Sequence, residues 1–409
     1  MKKRKKKKRN QQQKQESRHH RNEFFKRLQQ VMAVLGDASA FKLLDKVDRR
    51  LVYDCRLRPV KIIAPKEMGH FPDKLLTLKQ INLVLNYLLK KTFVDMGQAR
   101  LSLYDFTVYV ETLQLQWCNM PENHPEIADR FRACFPVFHE KFTEIRLKAN
   151  SLIVQKLQET AFFLSDLSSH VIRFVPEKIN KPASVLDNSA FFNNYMLEVK
   201  KPEIETVKIN GYTRPVYRLL LNFGQEFNPL TITPEKLGIT GVMQRFPLKV
   251  YMQQHAFDRI ELRLGKQLCR YNYLNIIPAI LVNEPVPVAE KTSYLFPVTH
   301  ANIKLGYLKG DIIGDKLIIR TFLFLTHNGT PEGKKLQELA GIHKADKQYL
   351  GIDKLSTFIL SDIKKDEKLK ALFCEAGCGD LFRIKKNVLD DPDGKDIACA
   401  EFLTRYLGM

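Results

Sequence analysis

Residues 254–263 read Gln-His-Ala-Phe-Asp-Arg-Ile-Glu-Leu-Arg, a spacing that predicts an amphipathic helix. At about 100° per residue, the apolar side chains fall together on one face, formed by Ala256, Phe257, Ile260 and Leu264. A helix with one apolar face needs a second layer of structure to cover that face. The segments on either side of the helix are the candidates for this layer.

These flanking segments are patterned as β-strands. Asn210-Gly211 separates the runs Ile204–Ile209 and Arg214–Phe223, and this dipeptide is typical of a tight hairpin turn. Further β-like runs follow the helix at Tyr294–Val298, Asn302–Leu308 and Lys316–Thr326. Strands that short turns connect pair antiparallel. We therefore expect an α+β fold in which helices pack on an antiparallel sheet.

The N-terminal part of the chain is patterned differently. Apolar residues recur there at helical spacing, and Thr77 stands where an N-cap is expected. Near the C-terminal third, Thr330-Pro331-Glu332-Gly333 has the composition of a helix start. We predict five segments in chain order: a disordered basic arm (1–17), a helical domain (18–175), a connector (176–202), an α+β domain with an antiparallel sheet (203–333) and a helical C-terminal extension (334–409).

The positive charge is concentrated at the N-terminus. The net charge is +21, and residues 1–27 supply +11 of it through thirteen Lys or Arg against two Glu. A run of like charges repels itself and buries no apolar surface, which predicts disorder. It is interpreted as a phosphate-binding arm, as a nuclear localisation signal in a eukaryote, or as a solubilising tail. The arm consists of Lys2, Lys3, Arg4, Lys5, Lys6, Lys7, Lys8 and Arg9.

Composition also argues against several classes of protein. No apolar run approaches the roughly 20 residues of a membrane span, and no apolar segment of a signal peptide follows the basic N-terminus. Seven scattered cysteines indicate reduced thiols rather than a disulfide framework. We therefore expect a cytoplasmic protein, nuclear if the source is a eukaryote, that has no membrane partner.

The motifs of common cofactor and metal sites are missing from the sequence. It contains no Walker A loop, no His-Glu-x-x-His and no Gly-x-Ser-x-Gly. Cys374, Cys378 and Cys399 are either zinc ligands or ordinary thiols, and the lack of a nearby histidine favours thiols. We expect neither a cofactor nor a metal.

The helix at 254–263 carries the most suggestive polar residues. His255, Arg259 and Arg263 share one stripe across two turns, and Arg263 lies nearest the apolar face. Guanidinium groups bind phosphate oxygens in pairs, and desolvation strengthens the contact. An imidazole titrates near neutrality, which suits proton transfer. The stripe is therefore a candidate site for a phosphodiester.

The pattern His-Ala-x-x-Arg-x-x-x-Arg, which ends at Gly265, resembles the opening helix of small RNase-like domains of the RelE/barnase-type toxin superfamily. The resemblance covers about residues 245–330, because the runs at 303–307 and 316–326 are similar to the twisted antiparallel sheet of that superfamily. Two features depart from the family pattern. The chain is much larger than such a domain, and its central strands are very apolar.

The resemblance implies metal-independent RNA cleavage, in which the ribose 2′-hydroxyl attacks the adjacent phosphate and leaves a 2′,3′-cyclic phosphate. It implies a proton-transfer role for His255 and charge stabilisation by Arg259 and Arg263. Further substrate contacts would come from the cations Lys304 and Arg320 and from stacking on Tyr307. The alternative imidazoles are His300 and His327.

Each of these residues also has an ordinary structural interpretation. The stripe resembles a solvated helix face, Tyr307 fits a core, and Arg320 fits a strand cap or a pair with Asp315. We expect a nucleic-acid-binding protein, with RNA favoured, and ribonuclease activity at the His255 helix remains a hypothesis. The alternative is a non-catalytic interaction or scaffold protein with a basic solubilising tail. A protein partner would bind through the helical domain.

Overall fold

The computed structural model of the chain forms two units, Met1–Thr160 with Arg173–Glu198, and Ala161–Ile172 with Val199–Met409. The structure describes residues 2–54, 56–65, 77–97, 99–114, 130, 133–135, 141–177, 193–222, 226–239, 246–265, 268, 272–288, 292–384 and 399–408. Helices and mixed sheets occur together, so the predicted α+β class is confirmed.

The first unit is built mainly from helices. They are α1 (Lys2–Leu35), α2 (Lys46–Asp54), α3 (Leu78–Lys91), α4 (Leu103–Asp105, continued by the π-helical turn Phe106–Val110) and α5 (Phe142–Leu164). Five strands accompany them, which the helical periodicity did not predict: β1 (Lys61–Ile63), β2 (Phe93–Asp95), β3 (Arg100–Ser102), β4 (Val171–Pro176) and β5 (Asn194–Lys200). β2 pairs with β3, and β1, β5 and β4 form a second sheet. The strand β5 therefore lies within the predicted connector 176–202.

The helix boundaries follow local capping chemistry. The Thr77 hydroxyl accepts a hydrogen bond from the Gln80 backbone N–H at 3.4 Å, and α3 begins at the next residue, so the predicted N-cap is confirmed. α1 ends at Leu35, directly before Gly36. Its buried side chains Leu28, Val31 and Met32 form part of the core of this unit.

The predicted disordered arm lies in α1. The backbone of residues 2–17 continues the helix that begins the first unit, while the side chains of these residues lie outside the described part of the chain. Lys, Arg and Gln are good helix formers, and extending an existing helix avoids the cost of nucleating a new one. These local preferences are the physical reason why the arm is helical rather than disordered.

The second unit is organised around one eight-stranded sheet with the order β12-β13-β14-β15-β11-β7-β6, in which β10 pairs with β11. Its strands are β6 (Ile204–Ile209), β7 (Tyr212–Arg218), β10 (Thr231–Ile232), β11 (Leu248–Gln253), β12 (Val286–Pro287), β13 (Ser293–His300), β14 (Ile303–Ile313) and β15 (Lys316–Phe324). The strands β8 (Leu220–Leu221) and β9 (Asn228–Pro229) form a separate pair.

The hairpin predicted at Asn210-Gly211 is confirmed. β6 and β7 pair antiparallel with Ile209 opposite Tyr212. Both turn residues have positive φ, 49° at Asn210 and 84° at Gly211, as a two-residue hairpin of this type requires.

The sheet is not wholly antiparallel, however. β11 pairs with β15 in parallel, with Val250 opposite Leu317. A parallel neighbour requires a long crossover connection. The chain between β11 and β15 supplies it, because it first forms helices α6 (Gln254–Leu264) and α7 (Asn272–Leu281) and then β12, β13 and β14. β11 is thereby a central strand, and α6 starts directly at its end.

The C-terminal segment belongs to the core of the second unit. It forms α8 (Pro331–Ala340), α9 (Lys344–Tyr349), α10 (Leu355–Leu360), α11 (Glu367–Glu375) and α12 (Ala400–Tyr406). Phe358, Phe373 and Leu403 are buried in the same apolar cluster as Phe296 and Phe324 of the sheet. The segment predicted as an extension is thus packed on the sheet through a continuous apolar core.

Candidate functional site

Helix α6 is held on the sheet by its predicted apolar face. Ala256, Phe257, Ile260 and Leu264 are all buried, which confirms the face inferred from the 3.6-residue period. Phe257 meets the ring of Tyr217 on β7 edge-on at 6.2 Å. This packing leaves His255 exposed and Arg259 half-buried beside the apolar face, with Arg263 at the buried edge of the stripe.

The polar stripe of α6 forms one wall of a cleft of 790 Å³, which we call the basic cleft. The β6–β7 hairpin forms a second wall through Tyr212 and Arg214, and the floor comes from β15 at residues 320–324. His327, Lys344 and Asp353 close the third side. All of these elements lie within the second unit.

The basic cleft is strongly positive. Its described lining has one carboxylate, Asp353, against six cationic side chains: Arg214, Arg259, Arg263, Lys309, Arg320 and Lys344. Two of the six are neutralised within the protein, Arg263 by Asp353 and Arg320 by Asp311. Within the described part of the chain, no carboxylate forms an ion pair with the other four cations. The cleft can therefore attract an anion with charge that internal pairs do not already cancel.

His255 and Arg259 lie together at the rim of the basic cleft. The Arg259 Nε–H donates to His255 Nε2 at 3.5 Å, so Nε2 is unprotonated in this arrangement. Partial burial and then the charges of Arg259 and Arg214 lower the pKa of His255, with Asp258 acting in the opposite direction. These effects favour the neutral imidazole, whose Nε2 lone pair faces the Arg259 guanidinium.

Arg263 occupies a different environment from its two neighbours on the stripe. It is 8% exposed, and its guanidinium forms an ion pair with the buried carboxylate of Asp353. The sequence predicted a catalytic phosphate contact for this residue. The observed pair instead engages the charge of Arg263 inside the protein, because a buried guanidinium needs a carboxylate to offset its desolvation.

His327 brings a second imidazole into the basic cleft. Its Nδ1 accepts a hydrogen bond from the Gly329 backbone N–H at 2.9 Å, which leaves the proton on Nε2. Burial is the largest cause that lowers the pKa of His327 to about 4, and the charges of Lys344 and Arg263 add to it. His327, one of the two alternative imidazoles in the sequence, lies in the cleft.

The position of His327 depends on the start of α8. Thr330 caps this helix, as predicted, by accepting from the Gly333 N–H at 3.0 Å, and its hydroxyl donates to the His327 carbonyl at 2.7 Å. Gly333 packs so closely on the His327 carbonyl that a Cβ atom there would overlap with it. These contacts fix the position of His327 relative to the first turn of α8.

Arg320 lies in the floor of the basic cleft. Its guanidinium donates to Asp311 at 2.5 Å, and Asp311 also accepts from the Ser293 hydroxyl at 2.6 Å. The partner considered from the sequence, Asp315, instead pairs with Lys249 at 2.9 Å. Arg320 is therefore present in the cleft with much of its charge balanced.

Lys304 and Tyr307 do not line the basic cleft. Lys304 donates to Glu332 at 2.7 Å, the Tyr307 hydroxyl donates to the same carboxylate oxygen at 2.9 Å, and Lys304 also donates to that hydroxyl at 3.1 Å. Tyr307 is 2% exposed, so its ring cannot stack on a base. The predicted substrate-binding role of both residues is not supported, because both are engaged in an internal network centred on Glu332.

Several cleft residues were missed by sequence reasoning. Arg214 and Tyr212 follow the hairpin turn, Lys309 lies on β14, and Lys344 is the first residue of α9. Lys309 and Lys344 lie far along the chain from α6, so no spacing pattern links them to its stripe. The hairpin offered the one usable signal, since residues beside a tight turn at a sheet edge are exposed.

The remaining candidates lie elsewhere or outside the described residues. His300 lies within 3.5 Å of Asn275, outside the cleft lining. The side chains of Lys2–Arg9 are not among those described. Cys378 is buried, while Cys374 and Cys399 are exposed. In the described parts of the chain, no three His, Cys, Asp or Glu side chains gather as metal ligands would, and no helix has the length and apolarity of a membrane span.

Comparison with known proteins returned no relatives. No family model matches the chain, and neither a search of curated proteins nor a search of solved structures found a match. The resemblance to RelE/barnase-type domains therefore stays an interpretation of the sequence at residues 245–330.

Proposed function

We propose that this protein binds nucleic acid, with RNA favoured, in the basic cleft of its second unit. The observation that supports the proposal is the lining of that cleft, in which six cations stand against one carboxylate. Phosphate neutralisation by Lys and Arg supplies most of the affinity in complexes of this kind. The four cations without an ion pair among the described residues come from four separate elements, so they surround the cleft rather than form one linear patch.

An aromatic side chain at the rim supports a polynucleotide over a small anion. Tyr212 is 68% exposed, and the Arg214 guanidinium lies over its ring at 5.6 Å from the centroid. A base can stack on an exposed tyrosine while the adjacent arginine contacts its phosphate. This pairing of aromatic and cation favours single-stranded RNA, whose bases are accessible.

The test is binding of a fluorescent single-stranded RNA to the full chain at low salt. We expect the variant Arg214→Ala/Lys344→Ala to bind at least about a hundredfold more weakly, because each of the two lost charge-assisted contacts is worth roughly 1.5–3 kcal/mol. The control Lys364→Ala/Lys368→Ala removes the same charge from exposed positions of the second unit outside the cleft. Equal loss in both variants, or no binding by the wild type, would contradict the proposal.

Ribonuclease activity is a second candidate, and the observation that favours it is the pair of imidazoles in one cleft. His255 and His327 both line the basic cleft with Arg259. In a metal-independent cleavage, His255 Nε2 would take the proton of the 2′-hydroxyl as Arg259 turns to the phosphorane and stabilises its negative charge. The leaving 5′-oxygen would take its proton from water, because the lowered pKa of both imidazoles leaves little imidazolium at neutral pH.

Cleavage is tested separately from binding. Single-stranded RNA is incubated with the protein in EDTA, and the products are analysed for a 2′,3′-cyclic phosphate. We expect His255→Ala and Arg259→Ala to abolish cleavage, while the control His19→Ala, exposed on α1, leaves it unchanged. Intact RNA with the wild type, or undiminished cleavage with both variants, would remove the catalytic candidate and leave the binding proposal standing.

A further inference from the structure

A second groove, of 1110 Å³, lies entirely within the first unit. It is lined by one face of α1, by Tyr53 at the end of α2 and residues 56–59 after it, by the end of α3, and by β2, β3 and α4 with the π-helical turn that continues it. We call it the α1 groove. The sequence pattern did not indicate it, because its lining comes from four separate stretches of the chain.

The cations of the α1 groove exceed its carboxylates. The described lining contains Arg27, Arg56, Arg58, Lys90 and Arg100 against Glu23 and Asp105. Asp105 is already satisfied, because it accepts from Arg27 at 2.5 Å and from the Ser102 hydroxyl at 2.8 Å. Among described residues, no carboxylate forms an ion pair with Arg58, Lys90 or Arg100. The groove therefore has net positive charge available for an anionic ligand.

Arg56 and Arg58 lie two residues apart and both line the α1 groove. The Arg56 guanidinium lies over the Tyr53 ring at 3.7 Å from the centroid and donates to the Tyr53 carbonyl. Burial and then the charge of Arg58 lower the pKa of Arg56, although Asp54 opposes the shift. A partly desolvated guanidinium beside a second cation is better stabilised when an anion such as phosphate approaches it.

Aromatic rings accompany these cations. Phe93 on β2 is 54% exposed although it is a large apolar side chain, and Lys90 lies over the Tyr104 ring at 4.8 Å from the centroid. Tyr53 supplies a third ring. Tyr53 and Tyr104 are half-buried with a cation over each ring, so Phe93 is the exposed ring of the three. An exposed aromatic face beside backbone-binding cations is the combination with which proteins hold single-stranded nucleic acid, since every base has a face that can stack.

We propose that the α1 groove binds a segment of single-stranded nucleic acid, so that the first unit has its own site in addition to the basic cleft. The choice of nucleic acid as the ligand rests on the proposed function. The basic run Lys2–Arg9 precedes the groove-lining residue His20 on the same helix α1. At a rise of about 1.5 Å per residue, Arg9 lies roughly 16 Å along the helix from His20, so one strand can extend from the groove to that run.

The proposal is tested with a fluorescent oligouridylate of about ten nucleotides and the full chain. The variant Phe93→Ala keeps the charge and removes a ring; we expect it to bind about tenfold more weakly, as for the loss of one stacked base. Its control, Tyr87→Ala, removes a ring that is 61% exposed on α3 outside the groove and should bind like the parent. Each substitution is measured in the wild type and in the Arg214→Ala/Lys344→Ala background. In that second background, RNA binding at the basic cleft cannot hide a loss of binding at the α1 groove.

A charge variant provides the second measurement. We expect Lys90→Ala/Arg100→Ala to weaken binding in both backgrounds, whereas Lys141→Ala/Lys148→Ala, exposed in the first unit outside the groove, should not. A 4-thiouridine probe should cross-link to Tyr53, Phe93 or Tyr104. Polyglutamate, which has charge but no bases, should compete poorly.

The outcomes separate the two sites. If Phe93→Ala and Lys90→Ala/Arg100→Ala bind like their parents, or if the cleft variant has lost all binding, the groove proposal is overturned and the proposed function stands. If the groove variants lose binding and the cleft variant does not, the proposed function fails and the groove remains. Equal competition by polyglutamate, or no sensitivity to Phe93→Ala, would also overturn the groove proposal, because the site would then recognise charge alone.

Discussion

Arg263 on α6 forms a buried ion pair with Asp353, ninety residues further along the chain. The two side chains are 9% and 6% exposed. The pair joins the helix that carries His255 and Arg259 to the segment between α9 and α10, and both residues line the basic cleft. Arg263 thereby holds the wall of the cleft in place rather than serving as a free phosphate contact.

The first prediction concerns this pair. Asp353→Ala should lower the free energy of unfolding by about 3–5 kcal/mol, because it leaves the Arg263 charge buried without a partner. The double variant Arg263→Met/Asp353→Leu should recover most of that loss, since it removes both charges and keeps the volume. Urea unfolding followed by circular dichroism measures both variants. Removal of the exposed pair Arg383–Asp380 is the control and should change stability by less than about 1 kcal/mol.

The second prediction concerns the close packing at the start of α8. Gly333→Ala should destabilise the protein by about 1–3 kcal/mol, because the new methyl group overlaps with the His327 carbonyl. Lys335→Ala on the exposed side of the same helix is the control, and alanine there should be nearly neutral. Thermal unfolding compares the two variants. A Gly333→Ala protein as stable as the control would mean that the helix start and His327 are not held together as described.

The third prediction is a pH dependence. His327 has a pKa of about 4 in the folded protein, below its ordinary value of 6.5, so the unfolded chain binds more protons as the pH falls below 6.5. The contribution of neutral His327 to stability is therefore fully present above about pH 6.5 and is lost as the pH falls towards 4.

Urea titrations of the wild type and His327→Gln at several pH values check this dependence. The wild type should lose stability more steeply than the variant between about pH 6.5 and pH 4. His19→Gln, exposed on α1, should follow the wild type. Parallel curves for all three proteins would show that His327 is not buried as a neutral imidazole.

The fourth prediction concerns the salt dependence of RNA binding. If the basic cleft contacts phosphates, the slope of log K against log salt should become shallower by about 0.7 for each phosphate contact removed from a single strand. Arg214→Ala and Lys309→Ala should each reduce the slope, whereas Lys364→Ala should leave it unchanged. An unchanged slope in the first two variants would indicate that they act through the fold rather than through phosphate.

Some of this architecture could be predicted because it depends on neighbours in the sequence. The apolar face of α6, the Asn210-Gly211 turn and the Thr77 and Thr330 caps each follow from residues within a few positions of one another. Helical periodicity, positive φ and capping hydrogen bonds are local properties, so one sequence is enough to recognise them.

Other features depended on partners that are distant in the sequence. The sequence left Tyr307 open to two interpretations, a stacking surface or a core position, and in the structure it is buried with its hydroxyl bonded to Glu332 and Lys304. The parallel pairing of β11 with β15 could not be predicted from local sequence patterns either, because it joins strands more than sixty residues apart. The spacing of residues within one strand does not show which other strand pairs with that strand in the sheet.

The sequence alone determined that the second unit has an amphipathic helix beside a sheet, and that this helix carries a histidine and two arginines on one stripe. Only the tertiary structure decided what the stripe can do. It buried Arg263 against Asp353, left Arg259 beside His255, and brought His327 and Lys344 to the same cleft. The physical reason is that charge pairing and desolvation depend on distances through space, which the chain sets when it packs its core.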